Sequence, residues 1–152
     1  MDAAQKLICE EIGTPFTFQT VLNSQKKDVE PYREEHIQLL HDGRNHWILN
    51  FGSNGRVQVC DSLNTALTCS SRKAIRPLYK HYFSGDEVIS FLPVQRQPDG
   101  YNCRLFAIAF AAEILDGKSP SEAIFSVDEM RGHLISCLET QKLSPFPKVS
   151  NV

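Results

Sequence analysis

The longest apolar segment of the chain runs from Leu105 to Leu115 and follows directly on a polar turn. That turn, residues 97–102, contains Pro, Asp, Gly and Asn, which end strands and cap helices, and Asn102 is predicted as the N-cap. The apolar segment is too poor in polar residues for a surface helix and too short to span a membrane. We therefore predict a helix that is buried on most faces, with Cys103 at its amino terminus.

Before this helix, apolar and polar residues alternate in a pattern that predicts three short antiparallel strands joined by tight turns. The strands are predicted over residues 35–41, 46–51 and 56–61. A further strand over residues 87–94 leads into the turn before Cys103. Together with the helix, these elements indicate an α+β domain: a central, mostly antiparallel sheet packs against a buried helix that carries Cys103 at its N-terminus.

Helical periodicity also marks both ends of the chain. Apolar residues at helical spacing predict a helix over residues 2–12, and two capping boxes, at residues 119–122 and 126–129, predict helix starts after the buried helix. Residues 141–152 contain two prolines and few apolar anchors. We therefore expect one domain over residues 1–140 and a C-terminal tail over residues 141–152.

A basic segment lies between the meander and the last strand. Arg72, Arg76 and Lys80 are four residues apart, so a helix would place three like charges on one face, and Pro77 would break or kink that helix. The segment is interpreted either as a solvated face or as a docking patch for an acidic partner.

Composition narrows the class of protein. The chain has 152 residues, 41% of them hydrophobic and 22% charged, which suits one folded domain and argues against disorder. A net charge of −2 lacks the basic excess of nucleic-acid-binding proteins. Neither a membrane-length apolar run nor a signal-peptide pattern is found. We expect an intracellular monomer, cytoplasmic or nuclear, that binds neither nucleic acid nor membrane.

The cysteines and histidines do not form a metal-binding pattern. Five cysteines occur without close pairing or Cys-x-x-Cys spacing, which favours reduced thiols over disulfides or zinc ligands. His36 and His41 are predicted to fall on opposite faces of one strand, so they do not converge with His46 on a metal. No metal and no cofactor is expected.

Four residues could together supply nucleophilic catalysis. Antiparallel pairing of the second and third strands would bring His46, at the start of one, to the same sheet edge as Asp61, at the end of the next. The helix dipole would favour the thiolate of Cys103. The turn could fold the Gln97 amide back over the helix start, where it and the Cys103 backbone N–H would form an oxyanion hole. Taken singly, each residue is also explained as a surface, turn, loop or packing residue.

These motifs resemble the Ulp/SENP family of cysteine proteases, which process ubiquitin-like proteins. The family has His-Trp at a strand start, Asp-Ser-Leu after the next strand, and Gln-x-x-Gly-x-Asp-Cys-Gly before an apolar helix. This chain has His46-Trp47, Asp61-Ser62-Leu63, and a 97–103 segment that reads Gln-Pro-Asp-Gly-Tyr-Asn-Cys. The apolar helix is especially similar to Ulp-type domains carried by transposon-related genes.

The resemblance implies a papain-like fold and a peptidase that cuts after the Gly-Gly terminus of SUMO, NEDD8 or ubiquitin. It implies His46 as the base, Asp61 as its orienting group, Cys103 as the nucleophile and Gln97 as the oxyanion donor. Trp47 would form a wall of a narrow channel for glycines. The other residues assigned to substrate binding are Gly100, Asn102 and Arg104.

Two positions depart from the family pattern. Arg104 stands where the family has glycine, and Asn102 stands where it has aspartate. The arginine could block the channel, or it could turn outward and lower the pKa of Cys103. A catalytically impaired protein that binds a ubiquitin-like partner, and a cysteine acyltransferase of the same fold, therefore remain as alternatives.

Overall fold

The computed structural model of the chain describes residues 2–11, 36–42, 45–53, 55–63, 66–80 and 89–149. The helices are α1 (Asp2–Glu11), α2 (Cys69–Ile75), α3 (Cys103–Leu115) and α4 (Val127–Thr140), and the strands are β1 (His36–His41), β2 (Trp47–Ser53), β3 (Arg56–Cys60) and β4 (Ile89–Phe91). Short 3₁₀ segments cover Arg76–Tyr79 and Pro120–Glu122. The predicted α+β class is confirmed.

The four strands form one sheet in the order β1-β2-β3-β4. β1, β2 and β3 pair antiparallel, as the alternation predicts, and β4 pairs parallel to β3. The register places Leu49 of β2 opposite Cys60 of β3. As a result, the residue before β2 and the residue after β3 lie at the same end of the sheet.

The sheet is buried on both faces because its strands carry apolar residues on each side. One face joins the core around α3, in which Phe106, Phe110 and Phe125 are fully buried. The other face packs Leu40 and the neighbouring β2 and β3 side chains against α2 and the 3₁₀ segment after it. α3 therefore lies in the centre of the domain, as its apolar sequence predicts.

The structure modifies two predicted elements. The strand expected over residues 87–94 is limited to Ile89–Phe91 among the described residues, and residues 81–88 lie outside them. The capping box at residues 119–122 begins only a 3₁₀ turn, since the Ser119 hydroxyl contacts Ser121 and makes no capping hydrogen bond.

The basic segment contains α2, which ends at Ile75, and a 3₁₀ turn that holds Pro77 near its start. This is the break that proline predicts, because proline lacks the N–H that would continue the helix. Arg72, Arg76 and Lys80 are exposed. The docking interpretation of this face stays a prediction.

The C-terminal segment has more anchors than the sequence suggests. Leu143 and Phe146 are buried, and Lys148 Nζ lies 2.7 Å from the buried Glu113 Oε2 of α3. A main-chain hydrogen bond joins Ser126 to Pro147. Residues 141–149 thus pack on the domain through two apolar side chains, one ion pair and main-chain hydrogen bonding. The division of the chain at residue 140 stays a prediction.

Among the described residues, no helix is long and apolar enough to cross a membrane.

Candidate active site

His46 and Asp61 meet at the end of the sheet that the β2–β3 register defines. His46 Nε2 lies 2.7 Å from Asp61 Oδ1, and both side chains are at least nine-tenths buried. The Asp61 carboxylate also accepts the N–H of Leu63, and the Asp42 carboxylate accepts the N–H of His46. These contacts fix the ring, so the predicted juxtaposition of imidazole and carboxylate is confirmed.

The His46 ring has a strongly altered proton affinity. Burial alone would lower its pKa, but the hydrogen bond to Asp61, the interaction with Cys103 and the charges of both raise it from 6.5 to about 9. Nδ1 is buried and makes no conventional hydrogen bond to nitrogen or oxygen within the described part of the chain. Because Nε2 is held by Asp61, Nδ1 is the ring nitrogen left to exchange a proton with Cys103.

Cys103 is the first residue of α3 and is 5% exposed. Its burial raises the pKa of the thiol. The interaction with His46 and the backbone N–H groups of Trp47 and Arg104 outweigh that effect and lower the pKa below the ordinary value of 9.0. The pair therefore favours thiolate and imidazolium, a nucleophile next to a proton donor.

The Cys60 thiol provides an internal comparison. It is fully buried at the end of β3, and burial, followed by the charge of Asp61, raises its pKa. The pKa values of two cysteines in one core thus shift in opposite directions, because Cys103, unlike Cys60, has an imidazole and two backbone N–H groups beside it.

Asn102 is the N-cap of α3, but its side chain makes no capping hydrogen bond. Its Nδ2 donates to Asp99 Oδ2 at 2.7 Å, and Arg131 of α4 donates to its Oδ1 at 3.2 Å. The predicted N-cap position of Asn102 is confirmed, but the capping hydrogen bond expected from its side chain is not made. Its predicted part in substrate binding stays a prediction. Because the Asn102 side chain bonds Asp99 and Arg131, it does not accept the first N–H groups of α3. The backbone N–H of Arg104 instead lowers the pKa of Cys103.

Gln97 is 7% exposed and lies in the turn before α3. Its Oε1 accepts the Ser62 hydroxyl at 2.5 Å, and its Nε2 donates to the Asp99 carbonyl at 2.6 Å. Its backbone N–H donates to the Ser62 carbonyl. The amide is thus fixed between the Asp61-Ser62-Leu63 segment and the turn. Its role as oxyanion donor stays a prediction.

Trp47 and Arg104 contact each other beside the thiol. The Arg104 Cζ lies 5.5 Å from the centre of the Trp47 ring, in cation–π geometry, and His41 packs edge-on to the same indole. Trp47 is 8% exposed, whereas Arg104 is exposed. The arginine therefore lies across the indole while its side chain remains reachable from solvent.

Gly100 and Tyr101 form the outer part of the turn. A Cβ added at Gly100 would meet no atom within 4 Å, so this glycine is not required by packing within the domain. Tyr101 is 74% exposed. The predicted part of Gly100 in substrate binding remains a prediction.

Three site residues were missed by sequence reasoning. Ser62 fixes the Gln97 amide, Asp99 accepts the N–H groups of Tyr101 and Asn102, and Arg131 reaches the turn from α4. Ser62 stands within the quoted Asp-Ser-Leu motif, and Asp99 is the type of residue that organises a turn. Arg131 is 29 residues from Asn102 and carries no local signal.

Metal binding by the site would depend on its possible ligands. Within the described ranges, no group of three or more His, Cys, Asp or Glu side chains could hold a metal ion. A thiolate, an imidazolium and oriented N–H groups are suited to acyl transfer through a covalent thioester.

Comparison with known proteins links this geometry to one fold. No family model and no curated protein sequence matches the chain. Solved structures do match. The C-terminal protease domain of Ulp1, in complex with Smt3, the yeast ortholog of SUMO, has a TM-score of 0.63 at 16% identity. The alignment covers 91% of this chain and 73% of the other.

The chain has the Ulp1-type cysteine protease fold.

Two further structures with the Ulp1-type fold extend the comparison. A de-sumoylating protease has a TM-score of 0.57 at 14% identity, with 88% of this chain and 65% of that chain covered. The Xanthomonas campestris effector XopD, bound to ubiquitin, has a TM-score of 0.51 at 14% identity, with 98% and 84% covered. The predicted papain-like α+β fold is confirmed.

Proposed function

We propose that the chain is a cysteine peptidase that cleaves after the C-terminal Gly-Gly of a ubiquitin-like modifier: SUMO, NEDD8 or ubiquitin. The observation that carries this proposal is the Cys103 thiol at the start of α3 beside an imidazole that hydrogen-bonds Asp61 at 2.7 Å. The Ulp1-type fold adds support, since structures with that fold include complexes with Smt3 and with ubiquitin.

In the proposed reaction the Cys103 thiolate attacks the carbonyl carbon of the terminal glycine. The carbonyl oxygen becomes an oxyanion, which accepts hydrogen bonds from the Cys103 N–H and the Gln97 amide. His46 gives its proton to the leaving amine as the carbon–nitrogen bond breaks, and a thioester remains. His46 then takes a proton from water, whose oxygen attacks the thioester and releases the carboxylate and the thiol.

Substrate selection is proposed to depend on the surface beside Cys103. The buried indole of Trp47 offers a flat wall to an extended main chain, and such a wall favours glycine over residues with side chains. Arg104, Asn102 and Gly100 stand at the mouth of this path in the proposal. The exposed arginine is the one large side chain among those three.

Activity-based probes test the function directly. SUMO, NEDD8 and ubiquitin that end in a thiol-reactive vinyl ester would be incubated with the protein, and the labelled residue identified by mass spectrometry. We expect one of them to label Cys103. C103A should abolish labelling, whereas C69A, which removes an exposed cysteine distant in sequence, should leave it unchanged. Absence of labelling by all three would overturn the proposal.

The Arg104–Trp47 contact favours one second candidate, a catalytically impaired protein that binds a ubiquitin-like partner. An arginine that lies over the indole at 5.5 Å occupies the surface along which the proposed substrate must pass. For this candidate, unmodified SUMO, NEDD8 or ubiquitin should bind in isothermal titration while the matching probe fails to label Cys103.

A further inference from the structure

The side-chain amide of Gln97 is held by two partners, a hydroxyl that donates and a main-chain carbonyl that accepts. Ser62, 1% exposed, reaches Oε1 with its hydroxyl at 2.5 Å, and the main-chain carbonyl of Asp99 accepts from Nε2 at 2.6 Å. A second link joins the same segments, because the backbone N–H of Gln97 donates to the Ser62 carbonyl at 2.9 Å.

The chemistry of these partners fixes the direction of the amide. A carbonyl oxygen can only accept, so the atom facing Asp99 must be the nitrogen of Gln97. The atom facing Ser62 must then be Oε1, and the Ser62 hydroxyl must donate. An amide nitrogen carries two hydrogens, and the Asp99 carbonyl uses one. The other hydrogen is not used by the Asp99 carbonyl.

We infer that Ser62 is a positioning residue: its hydroxyl anchors Oε1 of the Gln97 amide, whose direction the Asp99 carbonyl sets, and so holds the nitrogen toward the reacting carbonyl oxygen. This inference rests on the proposed function. An inverted amide would place a partial negative charge next to the oxyanion and would oppose its formation. Because Ser62 follows Asp61, one short segment sets both the imidazole of His46 and the amide of Gln97.

Removal of the hydroxyl has a specific expected effect. In S62A the buried Oε1 loses its donor while the main-chain bond between the two segments remains. The amide is then held by the Asp99 carbonyl alone and samples other side-chain torsions, so the transition state loses stabilisation that the bound substrate does not use. We expect kcat to fall by about tenfold, the rate equivalent of one hydrogen bond, with KM changed by less than about twofold.

The test is a double-mutant cycle measured on SUMO, NEDD8 and ubiquitin that carry a C-terminal fluorogenic amide. Q97A should lower kcat by about 100-fold or more. S62A should have its tenfold effect in the wild-type background and no effect in the Q97A background, since there is no amide left to orient. S62T keeps a hydroxyl and should recover kcat. S71A, which removes another buried serine hydroxyl in α2, is the matched control and should leave kcat unchanged.

Two outcomes would overturn the inference: an S62A variant with wild-type kcat, or an equal loss from S62A with and without Gln97. The second would indicate a general loss of structure. Thermal unfolding of each variant checks that the comparison is made on folded protein.

Failure of the proposed function is recognised separately. If wild-type protein hydrolyses none of the three substrates, the function is wrong, and the orientation of the amide is judged by NMR. Slow solvent exchange of the Gln97 side-chain hydrogens in wild type, accelerated in S62A and not in S71A, would support the positioning role. Equal exchange in wild type and S62A would reject it.

Discussion

The guanidinium of Arg104 lies over the indole of Trp47, with 5.5 Å between Cζ and the ring centre. The two residues are far apart in sequence, and α3 and β2 bring them together beside Cys103. Arg104 lowers the pKa of Cys103 through its backbone N–H, which any residue except proline would also supply. We therefore expect the Arg104 side chain to affect access to the thiol rather than its protonation.

Replacement of Arg104 by glycine should increase labelling of Cys103 by the matching vinyl ester probe. A cation–π contact at an exposed site contributes about 1 kcal/mol, so its removal should raise the rate by about fivefold. Alkylation by iodoacetamide, which is small enough to bypass the arginine, should change by less than about twofold and is the internal control.

A lysine at position 104 distinguishes charge from shape. Lysine keeps the positive charge but lacks the planar group that lies flat on the indole, so R104K should label at a rate between wild type and R104G. If iodoacetamide alkylation of Cys103 is slower in R104G than in wild type, Arg104 activates the thiol and our interpretation is wrong. If labelling appears only in R104G, the natural protein is the impaired form.

The pKa shifts predict how thiol reactivity depends on pH. Burial opposes the Cys103 thiolate, but the His46 imidazolium and two backbone N–H groups lower its pKa below 9.0. Iodoacetamide should therefore react with Cys103 at pH values below 9, and the rate should fall as pH drops through the lowered pKa. Peptidase activity should also decline above about pH 9, where His46 loses its proton.

The D61N variant tests whether Asp61 causes the pH dependence of Cys103 alkylation. Asparagine keeps the shape of Asp61 but removes the charge that raises the pKa of His46, so the imidazolium becomes less stable. The alkylation midpoint of Cys103 should then shift toward that of an ordinary cysteine. Cys60 should stay unreactive in both proteins because it is buried. A midpoint unchanged by D61N would contradict the assigned role of Asp61.

The stability of the turn before Cys103 should depend on the pairing of the Asp99 carboxylate with the Asn102 amide. In N102D, a second carboxylate would face Asp99 Oδ2, at the place where Asn102 Nδ2 now donates at 2.7 Å. We expect repulsion between like charges to lower the thermal midpoint by about 3 °C and to slow labelling of Cys103.

The swap variant D99N/N102D is the matched control for this prediction. It restores one carboxylate and one amide, and the asparagine introduced at position 99 keeps an oxygen that can accept the N–H groups of Tyr101 and of residue 102. Stability and labelling should return toward wild type. If N102D is as stable as wild type, the Asp99–Asn102 contact does not organise the turn.

The C-terminal segment should contribute to global stability. Phe146 is 2% exposed and its ring packs on Phe125 and His133, so F146A should lower the free energy of unfolding by about 3 kcal/mol. V149A changes a residue that is 54% exposed and should stay within about 0.5 kcal/mol of wild type. Urea unfolding measures both. Equal stability of the two variants would assign residues 141–149 to a loosely attached tail.

Local sequence predicted the elements that depend on neighbouring residues. Alternation located β1, β2 and β3, and their tight turns fixed the antiparallel register that joins His46 to Asp61. The polar turn and apolar run located the start of α3 at Cys103. These predictions succeed because burial period, turn chemistry and helix start are encoded within a few residues.

The sequence by itself thus determined the antiparallel pairing of the first three strands, the buried helix and the residue types at the candidate site, but not the parallel pairing of β4. Only the tertiary structure decided which partner each polar side chain takes. Asn102 contacts Asp99 and Arg131, the Gln97 amide bonds Ser62, and Arg104 lies on Trp47. Side-chain rotamers differ in free energy by about 1 kcal/mol, so one contact with a distant element is enough to select among them. Local sequence patterns do not predict such a contact.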